Sequence, residues 1–444
     1  MNFIRMTVID PMHNLFMGTT KFLFKDVWQS KHQLDKKEKL QNIQDIIDAI
    51  EVPSEMGRIP QKIASSFSSF TADQWKNWTL YYSMFAMKGH LPKQSYDVWV
   101  KFVEACHLLC RPVITNTDLS KAHENIMAFC KSFEAVYGSV LVTPNMHFHT
   151  HLIECIIDYG PVYAFWLFSF ERYNGCLGSY PTNKKNIELQ IMRQFHRTQY
   201  VKSEAKPVIF NDEFLSCFES LSHNQVGSLA LSNCELDEQV YLSARTMIKG
   251  ELTQGPLWLT TEDRIEVQGK KREGLVSGTH LTYLKESLKT FLRNINTDQV
   301  SGAFKMYQSV KYLGEIFGST ESRLRNSGNI MASWNGYDGK IDPKSELQPG
   351  KVVYFMRFFV MMKGSDKPSL IDMAYVKWLQ RHSEKEFFHK DLATVWAAHS
   401  LFDPEGPSSF MPVKRIDGKY LPGHIKVKGE SVTVAIKRNS KIIW

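Results

Sequence analysis

Long hydrophobic runs are absent from this chain of 444 residues. The most apolar stretch, AFWLFSF, stops just before Glu171, far short of the roughly 20 residues that a membrane-spanning helix needs. The N-terminal segment carries Arg5, Asp10 and His13, whereas a signal peptide would need a continuous apolar segment there. We therefore expect a protein that is neither inserted in a membrane nor secreted.

Cysteine is also scarce. The chain has seven cysteines, an odd number with no close C-x-x-C pair, which excludes a disulfide framework and a zinc ribbon. Cys106 and Cys110 lie one helical turn apart, and we expect them to be small buried residues.

The chain contains enough apolar and aromatic residues for a large hydrophobic core. It is 43% hydrophobic and 12% aromatic, which by the usual length prior predicts a folded protein of two to four domains. The formal charge is +8 and the isoelectric point is near 8.9. This charge suits a polyanion such as DNA, although many proteins of similar charge bind none.

The first two hundred residues have a mainly helical pattern. A short strand is predicted at Thr7–Asp10, followed by an amphipathic helix to about Trp28. Residues 40–137 repeat apolar side chains at three- and four-residue spacing, which predicts an all-helical block. Two further helices are predicted at 145–159 and 171–200.

The second half of the chain changes character. Residues 206–293 mix short strand-like runs with polar turns, and a helix is predicted at 281–294. Residues 296–340 are rich in Gly, Ser and Asn and predict a connecting region. Alternating runs then predict strands in the last hundred residues. We expect a small barrel or sandwich there, able to fold alone from about Leu347.

Two acidic residues stand in contexts that suggest metal chemistry. Asp10 lies in TVIDPMHNLF before a helical pattern, and Glu171 lies among aromatic residues in FSFERYNG. Phosphoryl-transfer enzymes bring carboxylates from separated segments to two divalent cations. In the alternative interpretation, Asp10 caps the helix that begins near Met12 and Glu171 forms a surface ion pair.

These segments resemble the transposases of the CACTA (En/Spm-like) group, especially the animal versions. DPMH, with Asp10 and His13, matches the family's Asp-x-x-His motif, and FERYNG, with Glu171 and Asn174, matches the phrase that carries its third acid. The resemblance extends through segments of the helical block, NMHFHTHL and GEIFGSTESRLRNSGNIMASW, and so covers most of the chain.

The resemblance implies an α+β protein with a partial ribonuclease-H-like core. In the implied domain order, residues 1–30 and 145–205 are the two parts of the core, and residues 31–144 are the helical insertion between them. Residues 206–340 are a mixed connecting region, and residues 341–444 are a β-rich module. It implies an ancestral Asp-Asp-Glu site for Mg²⁺ or Mn²⁺, with Asp10 and Glu171 as catalytic metal ligands and His13 and Asn174 supporting them. DNA as the partner, a nuclear or cytoplasmic location and a homodimer are further implications.

The family's first Asp lies on a strand well before the Asp-x-x-His motif, and the sequence offers no match to it. We therefore expect a transposase-derived protein that binds DNA but lacks full strand-transfer chemistry, because one of three metal-binding acids is missing. The alternative is a domesticated, non-catalytic protein that binds other proteins.

Other residues suggest binding surfaces. Lys184, Lys185, Arg193 and Arg197 follow Glu171 on one predicted helical segment and can track a DNA backbone, with a solvated charged face as the competing interpretation. His147 and His151 are four residues apart, with His149 between them. Zinc binding is one interpretation, but the pair lacks the glutamate of H-E-x-x-H, so polar packing against the core is favoured.

Overall fold

The computed structural model describes residues 6–30, 33–34, 37–53, 56, 60, 62–111, 114–204, 265–292, 295–312, 315–363, 368–382, 393–398, 401–427 and 429–438. It is 50% helical and 23% strand, which confirms the α+β class. The strand-like runs predicted between 206 and 264 lie outside the described residues.

Helices make up the first part of the chain. They are α1 (Met12–Thr20), α2 (Leu23–Gln29), α3 (Lys37–Asp48), α4 (Ile63–Ser66), α5 (Ala72–Asn77), α6 (Trp78–Tyr82), α7 (Ser83–Met87), α8 (Lys93–Leu109), α9 (Asn116–Tyr137), α10 (Pro144–His149), α11 (Leu152–Tyr159), α12 (Val162–Phe165), α13 (Phe168–Gly178) and α14 (Ile187–Glu204). The prediction of a helical block between residues 40 and 137 is confirmed.

Two local predictions in this part are wrong. The described residues 6–204 contain no strand, so Thr7–Asp10 is not a strand; the segment has no neighbouring strand to pair with, and Val8 is 36% exposed. The helix predicted at 171–200 is interrupted between α13 and α14, where Pro181 cannot donate a helical hydrogen bond and Lys184 and Asn186 have positive φ.

The helical core is built around large aromatic side chains that are fully buried. Phe24 of α2 lies with its ring centre 5.7 Å from that of Trp75 and 5.8 Å from that of Trp78. Trp28 packs edge-on against Trp99 at 5.2 Å. These contacts join the N-terminal helices to α5, α6 and α8, so the segment that carries Asp10 is anchored to the helical block.

The second part of the described chain is mostly β-sheet. Helix α15 (Gly278–Phe291) lies among strands β1 (Glu266–Gln268), β2 (Arg272–Leu275), β3 (Ala303–Tyr307), β4 (Ser309–Tyr312), β5 (Glu315–Phe317), β6 (Asn329–Ala332), β7 (Gln348–Met361), β8 (Pro368–Trp378), β9 (Ala393–Ala398), β10 (Phe410–Pro412), β11 (Ile416–Val427) and β12 (Glu430–Lys437). The helix predicted at 281–294 and the strands predicted in the last hundred residues are confirmed.

One large antiparallel sheet dominates this part. Its strand order is β10-β8-β7-β6-β11-β12-β9, with β3 against β7 and β2 against β3, and β1-β4-β5 form a second sheet. Neighbouring side chains of β7 enter different cores: Met356 packs with α15, whereas Phe355 packs with the small sheet. Val352 joins Phe355 because the strand register shifts between Val352 and Tyr354. The large sheet therefore has a helix on one face and a second sheet on the other.

The predicted domain boundary at residue 341 falls inside this sheet, because β3 and β6 precede it and pair with β7. The segment at 296–340, which was predicted to be connecting, supplies strands and buried residues such as Phe317 and Trp334. A unit that begins at Leu347 would lack these partners.

The hairpin formed by β11 and β12 also belongs to the helical core. Leu421, Val432, Val434 and Ile436 are buried in the same cluster as the side chains of the N-terminal helices. Gly423 allows this approach, because a Cβ atom there would lie 2.8 Å from the ring of Phe85. This hairpin therefore covers part of the helical core, whereas most of the sheet packs in separate clusters.

No single helix among the described residues is long and apolar enough to cross a bilayer. Leu152–Tyr159 and Val162–Gly178 meet that requirement only together, and they are bent by 81°.

Candidate functional site

The Asp10 carboxylate joins the beginnings of two helices. Oδ1 accepts hydrogen bonds from the backbone amides of Met12 at 3.2 Å and Leu167 at 2.9 Å. Oδ2 accepts from the backbone amide of His13 at 2.9 Å and lies 2.5 Å from His13 Nδ1. Met12 begins α1 and Leu167 immediately precedes α13, so one side chain satisfies amide groups that helix geometry leaves unpaired.

His13 connects Asp10 to Glu171. Its Nδ1 contacts the Asp10 carboxylate, which accepts but does not donate, so Nδ1 carries the proton and Nε2 faces the other way. Nε2 lies 4.0 Å from Glu171 Oε1. Across the imidazole, the two carboxylates are therefore no more than about 9 Å apart. The structure thus brings together two acids that are distant in the sequence.

The exposure of the three side chains differs. Asp10 is 12% exposed, whereas His13 and Glu171 are 52% and 54% exposed. Glu171 lies in the first turn of α13, where a negative charge is favoured by the helix dipole. A largely buried carboxylate thus orients the histidine, and the surface pair of His13 and Glu171 faces solvent.

A pair of Mg²⁺ or Mn²⁺ ions does not fit these residues. A carboxylate has about four acceptor positions, and N–H donors already occupy four on Asp10. Mg²⁺ needs hard oxygen ligands in near-octahedral geometry, so Asp10 would have to release helix amides to bind it. Among the described residues, no group of three His, Cys, Asp or Glu side chains is placed to hold a metal ion.

The other predicted site residues lie on an exposed segment. Asn174 is on α13 and is exposed. Lys184 and Lys185 lie in the loop between α13 and α14, and Arg193 and Arg197 lie one turn apart on α14; all four are exposed. The basic residues therefore lie on a loop and a helix rather than on one continuous helix.

The three histidines of NMHFHTHL have different environments. His149 is fully buried between Asn14 and Thr19 of α1: its Nδ1 contacts Asn14 Oδ1, and its Nε2 lies 2.8 Å from Thr19 Oγ1. His147 is exposed, and the side chain of His151 is 43% exposed. The favoured prediction of polar packing thus describes His149, which docks α10 on the helix that follows Asp10.

Burial lowers the pKa of His149 from 6.5 to about 3. Below about pH 6.5 the unfolded chain therefore binds a proton that the folded chain excludes. The contribution of His149 to the free energy of unfolding is fully present above that pH and is lost as the pH decreases. We expect His149 to lower the free energy of unfolding by about 2 kcal/mol between pH 7 and pH 5. Urea denaturation at both pH values measures the difference.

His149→Gln should remove this part of the pH dependence, whereas the exposed His123→Gln should leave it unchanged. An equal pH dependence in wild type and His149→Gln would contradict the assignment of a neutral, buried His149.

Sequence reasoning missed two contributors to this site. The first is the backbone amide of Leu167, which no side-chain pattern can reveal. The second is Lys76, whose ammonium lies 4.8 Å from the ring centre of Phe168 and 5.4 Å from that of Trp166, while 2.7 Å from Asp73. Lys76 thereby fixes the segment on both sides of Leu167. In the sequence, the aromatic residues before Glu171 were the signal that could have indicated these cation–π contacts.

Comparison with known proteins does not identify the chain: no family model, curated protein or solved structure matches it.

Proposed function

We propose that this protein descends from a CACTA-type Asp-Asp-Glu transposase and binds DNA without carrying out strand transfer. The observation that carries the proposal is the meeting of Asp10 and Glu171 at His13, because the two acid-containing segments resemble that family and lie far apart in the sequence. In this ancestry, residues 1–30 and 145–205 correspond to parts of a ribonuclease-H-like core, of which the described residues supply helices only.

DNA binding is supported by exposed positive charges that follow Glu171 in the sequence. Lys184, Lys185, Arg193 and Arg197 are exposed, and no salt bridge joins them to a carboxylate within the described residues. Arg193 and Arg197 share a helix face. Cations in this arrangement can neutralise backbone phosphates and release counterions, which gives affinity without sequence preference.

The proposed loss of strand transfer rests on the hydrogen bonds that Asp10 already accepts. Strand transfer needs one cation to activate the attacking oxygen and one to stabilise the leaving oxygen. The Asp10 carboxylate is already occupied by N–H donors, and no third acid joins it and Glu171 in the part of the chain that the structure describes. In this proposal the site keeps two of the ancestral acids near each other and has lost its metal chemistry.

Salt-dependent binding of labelled duplex DNA tests the proposal. If four phosphates are contacted, affinity should fall roughly a hundredfold between 50 and 200 mM salt. Arg193→Gln/Arg197→Gln should weaken binding and reduce the slope of log affinity against log salt by about 2. Incubation with Mg²⁺ or Mn²⁺ should produce no nicks.

Lys121→Gln/Lys131→Gln is the matched control, because it removes two exposed charges from α9 and leaves those of α14 in place. An equal loss in both double variants would mean that net charge alone causes binding. Metal-dependent cleavage that Glu171→Ala abolishes would contradict the proposed loss of chemistry.

A protein-interaction role is the second candidate, and exposed apolar side chains on α13 and α14 favour it. They are Phe170 (64% exposed), Tyr173 (56%), Leu189 (56%), Met192 (56%) and Tyr200 (66%). Apolar groups clustered on a surface are typical of protein interfaces. Failure to bind DNA even at low salt would favour this function over the first.

A further inference from the structure

The imidazoles of His147 and His151 face each other at the protein surface. Their ring centres are 5.0 Å apart, and the ring planes are inclined by 78°. His147 lies in the last turn of α10, and His151 immediately precedes α11, so the pair spans the break between two helices. His149, between them in sequence, points the opposite way into the core.

The distance between these rings suits a shared metal ion. Zinc binds an imidazole nitrogen at about 2.0–2.1 Å, and tetrahedral geometry separates its ligands by roughly 109°. Two imidazoles on one such ion therefore have ring centres about 5 Å apart, which is the spacing in this protein.

A carboxylate lies close to one of the rings. Glu154 Oε2 lies 3.5 Å from His151 Nδ1. Histidine ligands commonly donate the other ring N–H to a carboxylate, which fixes the tautomer and makes the metal-binding nitrogen more basic. The Glu154 contact therefore leaves His151 Nε2 as the available ligand atom.

We propose that His147 and His151 bind one transition-metal ion of the Zn²⁺ type, with Glu154 as a positioning residue for His151. Imidazole ligands favour Zn²⁺, Ni²⁺ and Cu²⁺ over Mg²⁺. Water completes the coordination, since no third side chain joins the pair among the described residues. This site is independent of the proposed DNA binding and of Asp10 and Glu171.

The ion has a structural consequence in this position. It links the last turn of α10 to the residue that precedes α11 across Thr150, which lies outside both helices. A ligand that binds only the folded state stabilises it by mass action. Zn²⁺ therefore fixes the angle between α10, which ends at the buried His149, and α11.

Titration of Zn²⁺ into the full chain, followed through the ¹³Cε1–H resonances of its 15 histidines, tests the proposal. The resonances of His147 and His151 should shift together and saturate with one ion. His147→Gln or His151→Gln should lower the affinity more than tenfold, and Glu154→Gln about tenfold. The control His123→Gln removes an exposed histidine from α9 and should leave the shifts unchanged.

Two results would overturn the inference. One is an unchanged spectrum of His147 and His151 at a large molar excess of Zn²⁺. The other is binding that His147→Gln and His151→Gln leave intact, which would place the ion on His13 with Glu171 or on cysteine. Because the histidine spectrum does not depend on DNA, the outcome is separate from that of the proposed function.

Discussion

Asp10→Ala is expected to lower the free energy of unfolding by about 3 kcal/mol, whereas Glu171→Ala changes it by less than about 0.5 kcal/mol. Removing the Asp10 carboxylate leaves the amides of Met12, His13 and Leu167 without their acceptor. Loss of one helix cap alone costs roughly 1 kcal/mol, and here one side chain serves two helices. Glu171 is 54% exposed and has no comparable set of bonds.

Urea denaturation of both variants at pH 7 measures the difference. Asp10→Asn is the matched variant, because asparagine is nearly as good a helix cap as aspartate. Its free energy of unfolding should therefore decrease less than that of Asp10→Ala. A neutral or stabilising effect of Asp10→Ala would indicate a carboxylate kept for metal binding, since functional groups of that kind commonly reduce stability. The pair of variants therefore separates the cap from the catalytic interpretation.

A fragment of residues 347–444 is expected not to fold, although its alternating sequence suggests an independent unit. Its strands would lose Leu284 and Leu288 of α15 on one face of the sheet, and Phe317 and Trp334 on the other. Strand β6, between β7 and β11 in the sheet, would also be missing. With both cores opened, the remaining apolar burial cannot offset the conformational entropy of folding.

Near-ultraviolet circular dichroism and urea denaturation measure the result, with no cooperative transition expected. A fragment of residues 265–444 is the comparison, because it restores both cores and should regain a transition. It should nevertheless self-associate, since Leu421, Val432 and Ile436 would be separated from the helices that cover them. A cooperative transition in the shorter fragment would contradict the conclusion that residues before Leu347 are needed to complete both cores.

The strong periodic patterns identified most of the secondary structure. Repeated apolar spacing identified α8 and α9, and alternating β-branched and aromatic residues identified β7 and β8. Strand β6 was missed because its four residues, NIMA, are too short to alternate and are all buried. Its place in the sheet depends on hydrogen bonds to β7 and β11, which are distant contacts that no local pattern records.

The candidate site was predicted in part. The sequence identified Asp10, His13 and Glu171, and the structure brings them together. The role of Asp10 depends on the Leu167 amide, a backbone group from a remote segment, so the sequence left the cap and ligand interpretations open. Likewise, alternation in NMHFHTHL could not tell which histidine is buried, because that depends on where Asn14 and Thr19 of α1 lie.

The hairpin of β11 and β12 has a consequence for synthesis on the ribosome. The helices emerge first, yet Phe85 and its neighbours remain uncovered until Gly423 and the following strand have been translated, hundreds of residues later. Contacts of such high sequence separation form slowly, and apolar surface exposed in the interval is prone to aggregation. Nascent chains that end before β11 should therefore depend on chaperones, and release of the folded protein should follow completion of the C-terminal strand.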